Sequence, residues 1–284
     1  MFESIFIEIA DYLKNCKPTN DRTIDKKCHD IFIKYIETNN KNIIGYISQE
    51  EEELKFINTK NNKSPKYILA FDPLDGSSNL SSNITTGSIY GVYEYDEINN
   101  KLLDIVGAGY CIYGPKTVMV YTNKDKLDVK ILINNEFIFN RHLSFDNMNK
   151  NNNEKIYSIN HSNDYDKEVN YLLQCYRHDN YNMRWVGTLV ADAHRILLND
   201  GIFYYPTSKK YPHGKIRCIY QGYPLSYIFK IAGGVGLNTG YISLLKYIKT
   251  FDLTCIHKRM PIILASKKEY DKLLFYLELQ DDNC

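Results

Sequence analysis

The sequence predicts an α/β protein with two halves, each a sheet packed against helices, and three patterns indicate this class. Apolar residues recur at helical spacing in the first part of the chain, before residue 36. Segments of alternating apolar and polar residues follow between 86 and 139, which is typical of neighbouring strands. Farther on, short apolar segments alternate with amphipathic helical segments. We expect the Asn- and Lys-rich run Asn147–Asn153 either to separate residues 1–150 from residues 151–284 or to form a surface insertion.

Two helices are predicted before the first strand. Apolar residues share one face of a helix predicted over Phe2–Leu13, and Pro18–Arg22 then breaks the pattern. A second helix is predicted over Ile24–Tyr35, and Asp25 at its start is typical of a capping or first-turn acid. The apolar segment Ile43–Ile47 then predicts a short buried strand.

The remaining elements follow from the same two periodicities. Further strands are predicted at Tyr67–Ala70, Thr86–Tyr95, Ile105–Tyr113, Thr117–Tyr121, Val129–Ile133, Glu136–Phe139, Lys155–Ile159 and Gly201–Pro206. Further helices are predicted over Tyr165–Tyr176, within Arg184–Arg195, over Leu225–Ala232 and over Lys267–Leu279. His194 lies in the second of these helices, where we expect a packed, hydrogen-bonded imidazole with a structural role.

Composition restricts the class of protein. The 284 residues suffice for a sizeable core, and a net charge of +1 argues against nucleic acid or an anionic membrane as a partner. No apolar run approaches the roughly 20 residues of a spanning helix, and the start does not resemble a signal peptide. The 7 cysteines are odd in number and lack CxxC spacing, which indicates reduced thiols. A cytoplasmic enzyme is therefore expected.

The most concentrated chemistry lies in Phe71–Asn79, which is predicted to be a tight turn after a strand. Asp72 and Asp75 place two carboxylates three residues apart, and Pro73 fixes the backbone so that both acids and the Leu74 carbonyl face one small volume. Such hard oxygen ligands suit Mg²⁺ or Mn²⁺. An ordinary turn between two strands is the alternative. The stretch continues with residues whose backbone N–H groups and hydroxyls are typical of a phosphate cradle: Gly76, Ser77 and Ser78.

This nine-residue stretch resembles the signature of the fructose-1,6-bisphosphatase and sedoheptulose-1,7-bisphosphatase family, a branch of the metal-dependent, lithium-sensitive sugar and inositol phosphatases. Between Asp25 and Leu264 the chain has four motifs in the family's order, and Ile256–Leu264 resembles the family's closing strand. The resemblance implies a layered α-β-α-β-α sandwich and a homo-oligomer, either a dimer or a tetramer. It also implies removal of the C1 phosphate of a ketose bisphosphate by metal-activated water.

The resemblance also implies the metal ligands and the acids that handle the proton. The acidic run after the strand Ile43–Ile47 resembles the family's Ser/Glu-Glu motif, although such a run is normally a solvated face. On that match Glu50 is a metal ligand and Glu51 acts with Asp25 to orient and deprotonate the attacking water. The implied metal set is Glu50, Asp72, the Leu74 carbonyl, Asp75 and Gln221.

Sugar and phosphate contacts come from the second half of the chain. Lys215 and Arg217 alternate along an extended segment, so both cations face one side and can reach phosphates, although a lysine-rich surface loop is the alternative. The resemblance implies that Arg217 lies near the phosphate being removed and that an arginine from a neighbouring subunit completes the site. The remaining implied sugar and distal-phosphate residues are Asn160, Arg184 (the arginine supplied by the neighbour), Tyr205 and Lys215.

Three departures from the family pattern are visible. Gln221 follows Tyr220 where the family has a glutamate ligand, so a ligand without charge should weaken one metal position. Trp185 replaces a tyrosine, which removes a hydroxyl from the distal phosphate site. Only about two dozen residues precede Asp25, so the AMP-binding region of the animal enzymes is largely missing.

The sequence leaves the substrate and the turnover open. Val186–Arg195 and Pro212–Lys215 resemble the fructose enzyme, whereas Tyr113–Thr117 resembles the sedoheptulose enzyme, which we slightly favour. An inositol or nucleotide monophosphatase of the same larger group is one alternative. A sugar-phosphate-binding homologue with impaired catalysis is another.

Overall fold

The computed structural model describes residues 2–16, 21–39, 42–57, 65–147, 155–160 and 164–281. The helices of these residues are α1 (Phe2–Asn15), α2 (Asp21–Asn39), α3 (Lys167–His178), α4 (Leu189–Asn199), α5 (Tyr223–Ile231) and α6 (Lys267–Asp281). All six helices were predicted, with ends that differ by a few residues. The run predicted to separate the halves lies, apart from Asn147, outside the described residues.

The first sheet contains eight strands in the order β2-β1-β3-β4-β5-β6-β7-β8. They are β1 (Ile43–Ser48), β2 (Lys55–Phe56), β3 (Tyr67–Asp75), β4 (Thr86–Asp96), β5 (Lys101–Tyr113), β6 (Thr117–Asn123), β7 (Lys126–Ile133) and β8 (Glu136–Leu143). Only β1 and β3 pair in parallel; the other neighbours are antiparallel. The sequence predicted all of these strands except the two-residue β2.

A second sheet and a small ribbon form the other half of the described chain. The strands there are β9 (Ile156–Ile159), β10 (Asn182–Met183), β11 (Gly201–Tyr205), β12 (Ile216–Arg217), β13 (Gly234–Leu237), β14 (Arg259–Met260) and β15 (Ile262–Ser266). The sheet order is β10-β9-β11-β15-β13, and β12 pairs with β14 as a separate antiparallel ribbon. The single strand predicted over Ile256–Leu264 was wrong, because this segment contains two strands: β14 pairs in the ribbon, and β15 pairs in the second sheet.

Three apolar clusters show the order of the layers. One joins α1 and α2 to one face of the first sheet, through residues such as Phe6 and Phe32 against Phe71. A second lies between the sheets and contains α4 and α5, and a third joins α3 and α6 to the outer face of the second sheet. The predicted layered α-β-α-β-α class is therefore confirmed. The division at residue 150 stays a prediction, since the middle cluster draws on both halves.

His194 of α4 has the structural role that its position predicts. Its Nδ1 lies 2.7 Å from the Tyr110 hydroxyl of β5. Burial lowers the pKa of His194 to about 4, so the imidazole is neutral at physiological pH. The partner is a tyrosine from the facing sheet, which no pattern in the sequence identifies.

Candidate active site

The ends of β1 and β3 bring acidic and amide side chains to one edge of the first sheet. The two strands are parallel neighbours, with Ser48 opposite Phe71, so their carboxyl ends meet at the same edge. The Gln49 N–H donates to the Phe71 carbonyl oxygen at 3.2 Å just beyond this pair. Asp72 follows Phe71 directly, so the first residues after each strand lie side by side.

The signature stretch was predicted to be a tight turn, and this prediction was wrong for its first half. The strand β3 continues to Asp75, with an irregular register against β4 between Asp72 and Asp75. Pro73 has no N–H for the ladder, and a bulge at such a residue tilts the strand. The Leu74 N–H instead donates to Asp72 Oδ1 at 3.2 Å, while the Pro73 carbonyl accepts from Ser88 Oγ at 2.7 Å. The sheet holds the two aspartates more rigidly than a turn would.

The turn begins at Gly76, which only glycine can occupy without strain. Its φ is +78°, and a Cβ there would lie 2.3 Å from Thr188 Oγ1. The chain then forms a short 3₁₀ turn over Ser77–Ser82. Asn79 Nδ2 donates to Thr188 Oγ1 at 2.8 Å, which fastens this turn to the segment before α4.

Asp75 joins the signature stretch to the first turn of α4. Its Oδ2 accepts from the Val190 N–H at 2.7 Å, so a carboxylate lies at the positive end of that helix. Asp192 of the same turn accepts from the Val186 and Gly187 N–H groups at 2.8 and 3.0 Å. The metal candidate Asp75 is thus positioned by a helix of the opposite half of the chain.

Asp72 and Asp75 form an electrostatically strained pair that fits a cation. Their exposed fractions are 0% and 8%, and neither takes part in an ion pair among the described residues. Burial raises the pKa of Asp72 well above its usual range, and the charge of Asp75 raises it further. Burial also raises the pKa of Asp75. Two buried carboxylates favour ionisation only when a positive charge lies beside them, and Mg²⁺ or Mn²⁺ would supply that charge.

The side chains alone do not form a closed metal cage. Within the described ranges, no group of three or more His, Cys, Asp or Glu side chains is arranged to hold a metal ion. Mg²⁺ is commonly held by one or two carboxylates, with waters and substrate phosphates completing the octahedron. The pair Asp72 and Asp75 with the Leu74 carbonyl therefore fits Mg²⁺ better than it fits an ion such as zinc, which requires four protein ligands in structural sites.

The two glutamates after β1 have different surroundings. Glu51 Oε1 lies 3.3 Å from His29 Nε2, and Glu51 Oε2 lies 3.9 Å from Lys55 Nζ. His29 Nδ1 is 2.9 Å from Ser48 Oγ, and Ser48 Oγ accepts from the Glu50 N–H at 3.2 Å. Burial lowers the pKa of His29, so Glu51 is held at the edge of the site by a hydrogen-bonded contact with the imidazole and by the charge of Lys55. His29, which orients Glu51, was not identified from the sequence.

Glu50 lies close to other acids of this edge, and the roles that the resemblance implies for Glu50 and Glu51 stay predictions. The pKa of the Cys28 thiol is raised, chiefly by burial, and the negative charges of Asp25, Asp72 and Glu50 each raise it further. Burial likewise raises the pKa of Tyr220, with further increases from Asp72 and Glu50. Asp25 also raises the pKa of Asp72. The structure thus brings Asp25, Glu50 and Asp72 into one electrostatic neighbourhood.

A cavity of about 250 Å³ opens beside these acids. Among its lining residues are five that the sequence singled out for metal or substrate: Asp75, Tyr205, Lys215, Arg217 and Gln221. Gln49 and Arg259 also line it, and the sequence analysis missed both. Three of the lining side chains are cations, a composition that suits a substrate with phosphate groups.

The missed residues have different explanations. Gln49 is the first residue after β1, and the match to a Ser/Glu-Glu motif passed over it because it carries no charge. Arg259 lies opposite Arg217 in the ribbon of β12 and β14. Such a pairing of distant two-residue strands leaves no periodic signal in the sequence, so only the fold could identify Arg259.

An aromatic wall closes one side of the cavity. The ring of Trp185 lies nearly parallel to Phe203, with centroids 6.1 Å apart, and tilts against Tyr205 at 5.9 Å. Lys215 Nζ lies 5.8 Å from the Tyr205 ring centroid, within cation–π range. Asn160 Nδ2 donates to the Tyr205 hydroxyl at 3.3 Å, so Asn160 supports this wall from behind.

Five predicted phosphate or sugar residues do not line the cavity among the described residues: Gly76, Ser77, Ser78, Asn160 and Arg184. Ser77 is half-buried and Ser78 is exposed, both at the start of the 3₁₀ turn. Arg184 is exposed beyond the edge strand β10, where its Nη1 donates to the Met183 carbonyl at 3.2 Å. The expectation that Arg184 serves a neighbouring subunit stays a prediction.

Gln221 lies in a π-helical turn, Cys218–Gly222, that leads into α5. Its Oε1 accepts from the Arg217 N–H at 2.9 Å, and its Nε2 donates to Asp72 Oδ2 at 2.7 Å. The expectation that Gln221 is an oxygen ligand of a metal stays a prediction, and this orientation does not support it. Tyr93 fixes the same turn, since its hydroxyl donates to the Ile219 carbonyl at 2.6 Å.

Comparison with known proteins agrees with this geometry. A model of the fructose-1-6-bisphosphatase N-terminal domain matches residues 10–141, and a model of the C-terminal domain matches residues 150–278. The class 1 fructose-1,6-bisphosphatase of Sulfurihydrogenibium sp. (strain YO3AOP1) is 33% identical, covering 92% of this chain and 80% of that protein. The cytosolic fructose-1,6-bisphosphatase of Solanum tuberosum is 32% identical, covering 95% of this chain and 81% of that protein.

Solved structures show the same fold. The holo form of Leishmania major fructose-1,6-bisphosphatase superposes with a TM-score of 0.84 at 28% identity, covering 98% of this chain and 92% of that chain. Its T-state form gives a TM-score of 0.82 at 26% identity, covering 97% and 90%.

The layered fold and a cationic cavity beside buried acids define a phosphatase that hydrolyses a phosphate ester of a sugar bisphosphate. The chain belongs to the fructose-1,6-bisphosphatase family, as its two domain matches and its relatives show. No helix of the described ranges is long and apolar enough to cross a membrane.

Proposed function

We propose that this enzyme removes the C1 phosphate of a ketose bisphosphate with Mg²⁺ as its metal. The observation that carries the proposal is the cavity itself, where Lys215, Arg217 and Arg259 face the same space as the buried Asp75. Three cations match the charge of two phosphate groups, and the aspartate marks the end at which one phosphate meets a metal. Both fructose 1,6-bisphosphate and sedoheptulose 1,7-bisphosphate are proposed as substrates.

The sugar and its phosphates would span the cavity from the metal end to the aromatic wall. Arg217 is half-buried and lies close enough to Asp72 to respond to its charge, so we assign it to the phosphate that leaves. Lys215 lies over the Tyr205 ring, and we assign it to the distal phosphate. Arg184 would reach the distal phosphate of a neighbouring copy, which is why we also propose a dimer or tetramer.

The residues that would hold Mg²⁺ are Asp72, Asp75 and the Leu74 carbonyl, and Glu50, which the sequence resemblance implies as a further ligand, is left free to accept a proton. When bound, the ion would neutralise charge on the phosphate and acidify a water molecule. The proton of that water needs an acceptor near the same edge. We propose Glu50 for this role together with Asp25, because both lie in the neighbourhood of Asp72, whereas Glu51 is engaged with His29 and Lys55.

Phosphate release from both bisphosphates, measured with and without Mg²⁺, tests the proposal. Asp72→Ala should abolish Mg²⁺-dependent release. Asp104→Ala is the matched control, because Asp104 is exposed and pairs only with Lys249 among the described ion pairs. Full activity of Asp72→Ala would overturn the proposal, and so would phosphate release at the same rate with and without Mg²⁺.

Two other functions lead to different results in the same assay. An inositol or nucleotide monophosphatase would prefer monophosphates to bisphosphates. The carboxamides of Gln49 and Gln221 in the cavity favour a second candidate, a sugar-phosphate-binding protein with impaired turnover. Calorimetric binding of a bisphosphate without phosphate release would identify that function.

We also propose a cytoplasmic location for the enzyme. The support is the Solanum tuberosum relative, whose name describes it as cytosolic. A tagged chain that collected in a membrane-bound compartment would contradict this.

Light scattering of the purified protein measures the proposed oligomer.

A further inference from the structure

The hydrogen bonds of Gln221 leave only one possible orientation of its carboxamide. The Arg217 backbone N–H is a donor only, so the atom 2.9 Å from it must be the amide oxygen. With the oxygen placed there, the amide nitrogen is the atom that lies 2.7 Å from Asp72 Oδ2 and donates to it. Both side chains are buried, with exposed fractions of 9% for Gln221 and 0% for Asp72. The carboxamide thus joins the backbone of Arg217 to the most buried acid of the site.

A carboxylate could not make the same pair of contacts. A glutamate in this position would keep the bond from Arg217 but would place its second oxygen 2.7 Å from the Asp72 oxygen. Two carboxylate oxygens at that separation, out of water, need a cation or a proton between them. The amide hydrogen of Gln221 occupies that place and stabilises the charge of Asp72 through a charge-assisted hydrogen bond.

The neighbouring side chain at the end of β1 is also uncharged. Gln49 lines the same cavity, so two carboxamides face it where carboxylates would add two negative charges. The positive charges in the cavity come from Lys215, Arg217 and Arg259. This balance favours binding of a phosphate group by protein cations with less help from metal ions.

We infer that Gln221 acts as a clamp on Asp72 that takes the place of one divalent cation, so that the site holds one ion fewer than a site with a carboxylate at 221. The inference rests on the proposed metal-dependent phosphatase site and deepens it. The clamp holds the Asp72 carboxyl in one orientation before any metal binds. It also competes with a metal for the Oδ2 atom of Asp72.

Mn²⁺ titration of the full-length protein, followed by electron paramagnetic resonance of the free ion, counts the ions directly. Gln221→Glu should bind about one more Mn²⁺ per chain than the unmodified protein. Gln221→Met, of similar size but without an oxygen ligand, should bind no additional ion. Equal counts for the unmodified protein and Gln221→Glu would overturn the inference, as would an extra ion in Gln221→Met.

Thermal unfolding provides a second readout that does not depend on activity. Both substitutions remove the amide hydrogen from Asp72, so Mn²⁺ should raise the Tm of each variant more than it raises the Tm of the unmodified protein. If Gln221→Glu does not fold, Gln221→Met alone decides: a rise equal to that of the unmodified protein would refute the clamp.

Phosphate release in the same samples separates this inference from the proposed function. An unmodified protein that releases no phosphate, while Gln221→Glu still gains an ion, would refute the function and leave the clamp intact. Normal Mg²⁺-dependent release with identical ion counts would refute the clamp and leave the function intact.

Discussion

Glu50→Gln and Glu51→Gln form a matched pair of substitutions that identifies the proton acceptor. Glu50 shares its surroundings with Asp25 and Asp72 at the end of the sheet. A general base in a position of this kind contributes about 10²–10⁴-fold to the rate. Glu50→Gln should therefore lower kcat by that factor, which corresponds to about 3–5 kcal/mol of activation free energy. KM should change much less, because the phosphate groups are bound by cations.

Glu51→Gln should have a much smaller effect. The change removes a negative charge that lies 3.3 Å from His29 and 3.9 Å from Lys55, and the exposed fraction of the Glu51 side chain is 27%. Partly exposed pairs contribute up to about 1 kcal/mol, so the loss of stability should stay within that limit. An equal loss in the transition state would lower kcat by only about fivefold.

Steady-state phosphate release at saturating Mg²⁺ and constant pH measures both effects, and circular dichroism melts show that each variant is folded. The reasoning is refuted if Glu51→Gln loses a hundredfold or more in kcat while Glu50→Gln remains near the unmodified value. In that case the contact with His29 would orient Glu51 for catalysis, and Glu51 would be the proton acceptor that the sequence resemblance implies.

Three further predictions concern the turn, the cavity and a buried histidine. Gly76→Ala should lower the Tm and kcat together, because a Cβ at φ +78° would clash with Thr188 at 2.3 Å; an unchanged melt would contradict this. Lys215→Met should raise KM for a bisphosphate by about 10–100-fold and spare kcat, since a lost charge-assisted hydrogen bond costs about 1.5–3 kcal/mol; an unchanged KM would remove Lys215 from the site. The folded pKa of His194 is about 4 and its unfolded pKa 6.5, so its contribution to stability is complete above pH 6.5 and is lost as the pH falls toward 4. His194→Gln keeps a polar group near Tyr110. In urea unfolding, its free energy of unfolding should fall by about 2 kcal/mol less between pH 7 and pH 5 than that of the unmodified protein. Equal decreases in the two proteins would refute this.

The site residues that could be identified from the sequence are those that carry a charge and lie close to one another along the chain. Asp72 and Asp75 were identified because two acids and a glycine lie close together in sequence, and Lys215 and Arg217 because they alternate. Gln49 was missed because an uncharged residue among acids carries no signal. Local turn rules also assigned Pro73 to a turn, whereas pairing with β4 extends the strand through it.

The sequence by itself determined the α/β class, the order of the helices and of most longer strands, and their buried faces, whereas the layered α-β-α-β-α arrangement was implied by the resemblance to a known family. The order of the elements and their buried faces follow from periodic apolar patterns. Such patterns depend on residues a few positions apart, so they can be recognised without knowing the tertiary contacts. Only the tertiary structure decided which side chains share the cavity, because contacts such as Arg217 with Arg259, or Gln221 with Asp72, join segments far apart in the chain. Their geometry depends on strand register and on one π-helical turn, and a shift of a single residue in either would place different side chains in the site.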